Sequence, residues 1–357
     1  MKRCEQAASS LESYSVDALL ITSEPNIRYV SGFTGSESYV FLSSAARVFI
    51  TDSRFTEQAE DECEGFEIVR HRFPYPALEE ILKELAAKHG VHRLGFEKSS
   101  VTFGFHEKLV NAGLEAQLIP TVGIVEDLRY VKDDYEIELI AKAARIADEA
   151  FGYILEIVKV GIEEKEIEVE LDYFMRRAGA SAVGFPTIIA SGPRSSLPHA
   201  VPSRRKIEYG DFITMDFGAL YGGYRSDMTR TVVMGRANDT QKQIYEIVRN
   251  AQEEGLLHVS AGVKGTDPDR SARDVIIAAG FGDFFGHGLG HGVGLEIHEE
   301  PFMSPKCDKT LAAGNVITVE PGLYLPKWGG VRIEDTVVVK EDGCEPLTLS
   351  PKELIVL

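Results

Sequence analysis

The chain has 357 residues, which is too long for one small core and predicts about two domains. Apolar residues make up 44% of the sequence and charged residues 26%, which excludes a largely disordered chain. The 56 acidic residues outnumber the 38 basic ones and give a formal net charge of −18. This charge disfavours nucleic acid and anionic membranes as partners.

The sequence predicts neither a secretion signal nor a membrane span. Lys2 and Arg3 are not followed by an apolar stretch, and no window approaches 18 uninterrupted apolar residues. The four cysteines are scattered and form no Cys-x-x-Cys pair, a pattern typical of reduced thiols. We therefore expect a cytoplasmic protein.

The first third of the chain alternates short apolar runs with amphipathic segments, which predicts a small α/β domain. The predicted strands are residues 16–22, 48–51, 66–69 and 93–96, and the predicted helices are residues 77–89 and 105–112. We place this domain at residues 1–125 and a second domain at residues 126–357. The second domain is predicted to open with helices over residues 134–158 and 163–177, with Asp133 or Asp134 as the first N-cap.

Two aspartates lie in a β-rich region after residue 185. In the predicted strand 210–218, Asp216 is on the face opposite Ile213 and Met215. For Asp216 alone, exposure to water is an equal alternative. Asp227 follows eleven residues later, after a Gly-Gly turn, so neighbouring strands can bring the two carboxylates together. Two adjacent like charges are unfavourable without a cation between them, which favours a metal site.

A glycine-rich segment contains three histidines within twelve consecutive positions. His287, His291 and His298 occur in the sequence GHGLGHGVGLEIHEEP, whose glycine density is too high for a helix interior. A single histidine is more often a structural residue, but three together favour a metal or catalytic role.

Two glutamates complete the candidate set. Glu320 ends an apolar strand at a Pro-Gly turn, and Glu334 lies in the apolar pattern of a predicted strand over residues 330–339. Each alone could be part of a structural salt bridge, as Arg332 and Asp335 could be. Together the candidate ligands are four carboxylates and one imidazole, which suit two divalent ions of the Mn, Co or Zn kind. They are Asp216, Asp227, His291, Glu320 and Glu334.

The order of these motifs resembles that of the pita-bread metallopeptidases, and within them the Xaa-Pro peptidases aminopeptidase P and prolidase. The segments NIRYVSGFTG (residues 26–35) and ITDSR (residues 50–54) are similar to that family's creatinase-like N-terminal domain. The resemblance implies an α+β fold, in which a smaller α/β creatinase-like domain precedes a C-terminal pita-bread catalytic domain. It also implies a homodimer.

Carried over position by position, the resemblance assigns all five metal ligands to the residues named above. It further assigns His199, His287 and His298 as site histidines and Arg332 as the site arginine. We expect His298 to stabilise the tetrahedral intermediate and Glu320 to move the proton, with His199 as a further catalytic residue. His287 is expected to bind the substrate, and Arg332 is expected to bind the substrate or to orient the metal ligands.

The leading hypothesis is a dimetal Xaa-Pro aminopeptidase that releases the residue before proline, with manganese as the expected metal. A prolidase that acts only on Xaa-Pro dipeptides is the closest alternative, and a non-catalytic binding module is a third. Because a bond to proline has no N–H, one wall of the substrate site should be apolar. Candidates for that wall are Phe185, Pro186, Tyr324 and Trp328, although each could be an ordinary core or surface residue.

Overall fold

The computed structural model describes residues 2–357, which divide into two compact units between Arg129 and Tyr130. The predicted boundary between residues 125 and 126 stays a prediction. The fold class is confirmed, since a mixed α/β unit precedes a larger α+β unit. No helix among residues 2–357 combines the length and apolar character needed to cross a bilayer.

The first unit is built on one six-stranded sheet. Its strands are β1 (Ala18–Ile21), β2 (Tyr39–Ser43), β3 (Arg47–Thr51), β4 (Glu67–Arg70), β5 (Arg93–Glu97) and β6 (Gln117–Thr121). They lie in the order β4-β3-β2-β1-β5-β6, with β2 antiparallel to both of its neighbours and the other pairs parallel. Its helices are α1 (Lys2–Ser10), α2 (Glu24–Ser31), α3 (Thr56–Glu62), α4 (Leu78–Lys88), α5 (Phe103–Asn111) and α6 (Glu126–Arg129).

The second unit opens with two helices that cover a three-stranded sheet. They are α7 (Asp134–Leu155) and α8 (Glu164–Arg177). Asp133 is the N-cap of α7, because its carboxylate accepts from Glu136 N while Glu136 reaches back to Asp133 N. The apolar faces of both helices pack on Ile213 and Met215 of the sheet.

The strands that these helices cover and their neighbours form two small sheets. The strands are β7 (Ala182–Val183), β8 (Ile188–Ser191), β9 (Phe212–Phe217), β10 (Ala219–Tyr221), β11 (Tyr224–Arg225) and β12 (Met228–Val233). One sheet has the order β12-β9-β8 and the other β11-β10-β7. Antiparallel pairing sets Thr229 opposite Asp216, so that Asp227 lies beside the end of β9. The two aspartates therefore come from neighbouring strands, as the sequence predicts.

The second half of this unit packs two helices on a five-stranded sheet and a hairpin. The helices are α9 (Asp239–Leu257) and α10 (Thr266–Ala278). The sheet order is β14-β13-β15-β18-β19, and β16 and β17 form the hairpin. The strands are β13 (Gly290–Gly292), β14 (Glu299–Met303), β15 (Val316–Val319), β16 (Gly322–Leu325), β17 (Gly329–Arg332), β18 (Asp335–Lys340) and β19 (Gly343–Pro346). The β16–β17 hairpin separates Glu320 from Glu334 and turns both toward the same region.

Candidate active site

The five candidate ligands line one cavity of about 620 Å³. Asp216 lies near the end of β9, Asp227 directly before β12 and His291 in the middle of β13. Glu320 follows β15, and Glu334 lies between β17 and β18. The prediction of one strand over residues 330–339 is wrong, because β17 pairs with β16 whereas β18 pairs with β15. The structure thus brings together one side chain within β13, one within β9 and three that lie directly beside strands.

Three of the carboxylates converge closely. Oxygen atoms of Asp216, Asp227 and Glu334 all lie within 4.8 Å of one another, and all three residues are buried. Oδ1 of Asp216 and Oε1 of Glu334 are buried and make no hydrogen bond to any described residue. Buried anionic oxygens this close to one another, two of them without donors, are costly unless a cation joins them. The donor set therefore fits a divalent metal site, with hard oxygen ligands and one imidazole.

The electrostatics of the cluster agree with this fit. Burial, together with the charge of Glu334, raises the pKa of Asp227 well above its ordinary range. Burial and the charges of Glu320 and Asp216 raise the pKa of Glu334 in the same way. Burial also raises the pKa of Asp216, although the Arg332 guanidinium opposes it. The three carboxylates, which we call the site carboxylates, thus repel one another when no cation lies between them.

His291 and Glu320 form an ion pair beside the site carboxylates. Nε2 of His291 lies 3.2 Å from Oε1 of Glu320 and 3.7 Å from Oδ2 of Asp227. Although burial opposes both shifts, this contact lowers the pKa of Glu320 to about 2 and raises the pKa of His291. Thr318 Oγ1 also donates to Oε1 of Glu320, so the contacts to Thr318 and His291 share that oxygen.

Arg332 contacts the carboxylate of Asp216 and not those of Glu334 or Asp335, which are nearer to it in the sequence. Its Nη2 donates to Oδ2 of Asp216 at 2.6 Å, its Nε donates to Thr229 Oγ1, and Thr229 in turn donates to Oε2 of Glu334 at 2.6 Å. A direct pair between Arg332 and Asp335 does not occur, because Asp335 pairs with Arg230. Arg332 therefore orients Asp216 directly and Glu334 through Thr229.

The remaining histidines line the same cavity. His287 is hydrogen bonded through Nε2 to the Tyr324 hydroxyl, 3.0 Å away, and that hydroxyl also accepts from Arg332. The ring of His298 meets the ring of His291 edge-on, with 4.3 Å between centroids. Burial lowers the pKa of both His287 and His298, so their neutral forms are favoured. His199 lies in the cavity wall on the exposed loop that follows Leu197.

Three of the four apolar candidates also line the cavity, namely Phe185, Pro186 and Tyr324. Trp328 does not. Its ring packs edge-on against Phe212, with 5.9 Å between centroids, beside a separate small cavity. Trp328 therefore has the structural role that was its alternative interpretation. Tyr324 contributes its hydroxyl to the polar network as well as its ring, which the sequence alone did not indicate.

The sequence analysis did not identify the residues that donate hydrogen bonds to the candidate ligands. Thr229 and Thr318 donate to Glu334 and Glu320, respectively. Arg230 donates to the backbone oxygen of Glu334 and to Asp335 Oδ1. The TRT sequence of residues 229–231, with an arginine inside a buried strand, was a signal for such a network, because a buried arginine needs several acceptors.

Comparisons with known proteins agree with the arrangement. Residues 138–341 match Metallopeptidase family M24, and residues 3–131 match the Creatinase/Prolidase N-terminal domain. The chain is 38% identical to a Xaa-Pro dipeptidase of Pyrococcus horikoshii, covering 97% of this chain and 96% of the relative.

Two solved structures are similar over nearly the whole length. A Xaa-Pro dipeptidase from Bacillus anthracis is 44% identical with a TM-score of 0.97, covering 100% of this chain and 99% of that one. An X-Pro aminopeptidase from Thermotoga maritima is 40% identical with a TM-score of 0.91, covering 99% of each chain. The chain therefore belongs to metallopeptidase family M24, and it carries the creatinase/prolidase N-terminal domain.

Proposed function

We propose that this peptidase hydrolyses Xaa-Pro dipeptides, with two divalent metal ions held by Asp216, Asp227, His291, Glu320 and Glu334. The observation that carries the proposal is the cluster of site carboxylates, in which one buried oxygen of Asp216 and one of Glu334 lack the donors that such groups require. The names of the similar Xaa-Pro dipeptidases support the dipeptide over the longer peptides of our leading sequence-based hypothesis.

When bound, two divalent ions lower the pKa of water toward neutrality and polarise the substrate's carbonyl group. Hard oxygen ligands and one imidazole favour manganese among the candidate metals, with cobalt and zinc as alternatives. The chain's own contribution is to fix the ligands. Arg332 and Thr229 hold Asp216 and Glu334, and Thr318 holds Glu320.

The protein groups around the ligands support distinct roles. In our proposal His298, whose ring is close to His291, donates to the oxygen that becomes negatively charged in the transition state. Glu320 accepts the proton of the attacking water and returns it to the proline nitrogen. Its contacts to Thr318 and His291 are both made through Oε1, so Oε2 is the oxygen that would carry the proton. His199 and His287 contact the substrate from the cavity wall.

Selectivity for proline is attributed to the apolar side of the cavity. Phe185 and Pro186 present an apolar surface in the cavity that Asp216 and Asp227 also line. A proline ring fits such a wall, because its nitrogen carries no hydrogen that would need an acceptor. A substrate with an N–H at that position would lose a hydrogen bond to water on binding.

A second candidate function is the removal of the first residue from longer Xaa-Pro peptides. Exposed apolar side chains line the outer part of the cavity, among them Val201 and Phe302, which are 76% and 40% exposed. Arg332 is the only arginine or lysine that lines the cavity within the described residues, and its nitrogens already donate to Asp216, Thr229 and Tyr324. A dipeptide's carboxylate would therefore have no unengaged guanidinium or ammonium group to meet, whereas a longer chain could continue over the apolar side chains. The similar X-Pro aminopeptidase also supports this candidate.

One comparison of substrates decides between the two. Ala-Pro, Ala-Pro-Leu, Ala-Ala-Leu and N-acetyl-Ala-Pro-Leu would be assayed with the manganese-loaded enzyme. Our proposal expects hydrolysis of Ala-Pro and little hydrolysis of the tripeptides. Faster cleavage of Ala-Pro-Leu would establish the second candidate, and equal cleavage of Ala-Ala-Leu would refute selectivity for proline. The homodimer and the cytoplasmic location stay predictions, to be tested by light scattering and by cell fractionation.

A further inference from the structure

A buried ion pair lies directly behind the turn that carries His298. Nζ of Lys132 lies 2.6 Å from Oε1 of Glu299, and the two side chains are 1% and 9% exposed. Lys132 precedes Asp133, the N-cap of α7, and its backbone N–H donates to Gly314 O at 2.9 Å. A lysine is almost never buried to this degree unless it is paired. The ion pair therefore holds the Glu299 carboxylate at a fixed point of the fold.

Glu299 is the first residue of β14 and directly follows that turn, which comprises residues 294–298. Its carboxylate approaches the backbone of residues 294–296, where Glu296 N donates to Oε2 and where a Cβ on Gly294 would collide with the carboxylate. Only glycine therefore fits at residue 294 with Glu299 in this position. The turn is also fastened from outside, since Arg225 N donates to Gly294 O. The backbone of residue 298 thus depends on where the Glu299 side chain is held.

We propose that Lys132 is a positioning residue for His298, acting through Glu299. The inference rests on the proposed function, because it concerns the role of His298 in that reaction. Substituting Lys132 removes the positive charge that lies 2.6 Å from Oε1 of Glu299 and so weakens the hold on that side chain. Glu299 would then turn toward water, and the imidazole of the adjacent residue would move away from the reacting carbonyl. A displacement of about 1 Å can lower a rate about 10²-fold.

A double-mutant cycle separates positioning from a general loss of structure. Lys132→Met would be made in the wild type and in the His298→Ala background, and kcat and KM would be measured on the best Xaa-Pro substrate with metal content verified. We expect Lys132→Met to lower kcat at least about tenfold in the wild type, with KM within about twofold. In the His298→Ala background the same substitution should lower kcat less than about twofold. An equal loss in both backgrounds, or no loss in the wild type, would overturn the proposal.

Two further variants protect the test against misfolding. Glu299→Gln keeps the size of the side chain and should reproduce the cycle if Lys132→Met does not fold. Lys340→Met is the matched control, because Lys340 also pairs with a glutamate, 3.0 Å away, but on the exposed surface of the same unit. It should leave kcat unchanged.

A readout that does not depend on activity keeps the inference separate from the proposed function. In protein with ¹³C-labelled histidine, the ring resonance of His298 would be assigned by its absence in His298→Ala. Lys132→Met and Glu299→Gln should shift or broaden that resonance and leave the exposed His258 unchanged. An unshifted His298 resonance would contradict the positioning role, whereas a failure of the wild type to cleave any Xaa-Pro peptide would contradict only the proposed function.

Discussion

Glu334 and Asp335 are neighbours in the sequence, both are 1% exposed, and yet they have opposite surroundings. Asp335 accepts from Arg230, Gln252 and Lys352, and although burial opposes it, the charges of Arg230 and Lys352 lower its pKa. The Glu334 carboxylate accepts from Thr229 alone among the side chains of the described residues, and burial raises its pKa well above the usual range.

The difference indicates which buried carboxylates serve the fold and which serve a ligand. Asp335, together with Arg230 and Lys352, forms a cluster that the protein itself compensates. Among the site carboxylates Asp216 accepts from Arg332, but Oδ1 of Asp216 and Oε1 of Glu334 have no donor among the described residues. This is costly for stability and is offset when a cation binds.

The largest effect is expected from removing a site carboxylate. Glu334→Ala and Asp227→Ala should reduce peptidase activity to background, because each removes a ligand and misplaces the others. Metal content per chain should fall in parallel. Full activity in either variant would mean that the residue is not a ligand.

The compensated carboxylate should behave in the opposite way. Asp335→Asn is expected to lower the free energy of unfolding by about 3–5 kcal/mol, because Arg230 is left buried without its counter-charge. Chemical denaturation of the metal-free protein would measure this loss. In the same assay Glu334→Gln should be neutral or stabilising, since it removes a repelling charge. A destabilisation by Glu334→Gln as large as that by Asp335→Asn would remove the distinction.

Within the cavity, residues that hold the ligands should differ from those that act on the substrate. His298→Ala should lower kcat by roughly 10² while leaving metal content unchanged, because it removes a donor to the developing oxyanion. Steady-state kinetics and metal analysis on one preparation would measure both. If metal is lost instead, His298 is a ligand and its role must be exchanged with that of His291.

The pH dependence of stability offers a smaller effect at a second compensated carboxylate. Glu164 is fully buried, and although burial raises its pKa, hydrogen bonds from Ser203 and Ser191 lower it below its ordinary value. A lowered pKa means stabilisation that is present above the unfolded-state pKa and is lost as the pH falls through the folded-state pKa. Glu164→Gln should therefore be less stable than the wild type at pH 7, and the two should converge below about pH 4.5. A constant difference in denaturation midpoint down to pH 3 would contradict this.

Much of the site was predictable, because its residues carry local signals. Asp216 interrupts an apolar strand, and the glycine-rich run containing His291 cannot be a helix. In the fold, the helices α4 and α7 and the strand β5 follow from their apolar periodicity. The helix α2 was missed, although Pro25 at its first turn and the left-handed Gly32 at its end are typical helix boundaries.

The supporting contacts were not predictable in the same way. Arg230 and Asp335 are 105 residues apart, and Lys132 and Glu299 are farther apart still. Pairings of this kind are decided by the tertiary arrangement of strands, which a periodic pattern does not encode. The strand β2 was missed for a related reason. Its residues 40–43 are all buried, so the segment lacks the alternation that marks a half-exposed strand.

In our proposal the site carboxylates hold divalent metal, and hydrolysis of the Xaa-Pro bond requires it. Calorimetric titration of Mn²⁺ into chelated protein, followed point by point with an Ala-Pro assay, tests this claim most directly. We predict two ions per chain in the wild type, activity that rises with occupancy, and no binding at these sites in the Asp227→Ala/Glu334→Ala variant. Full activity of the chelated protein, or an unchanged titration in that variant, would contradict the claim.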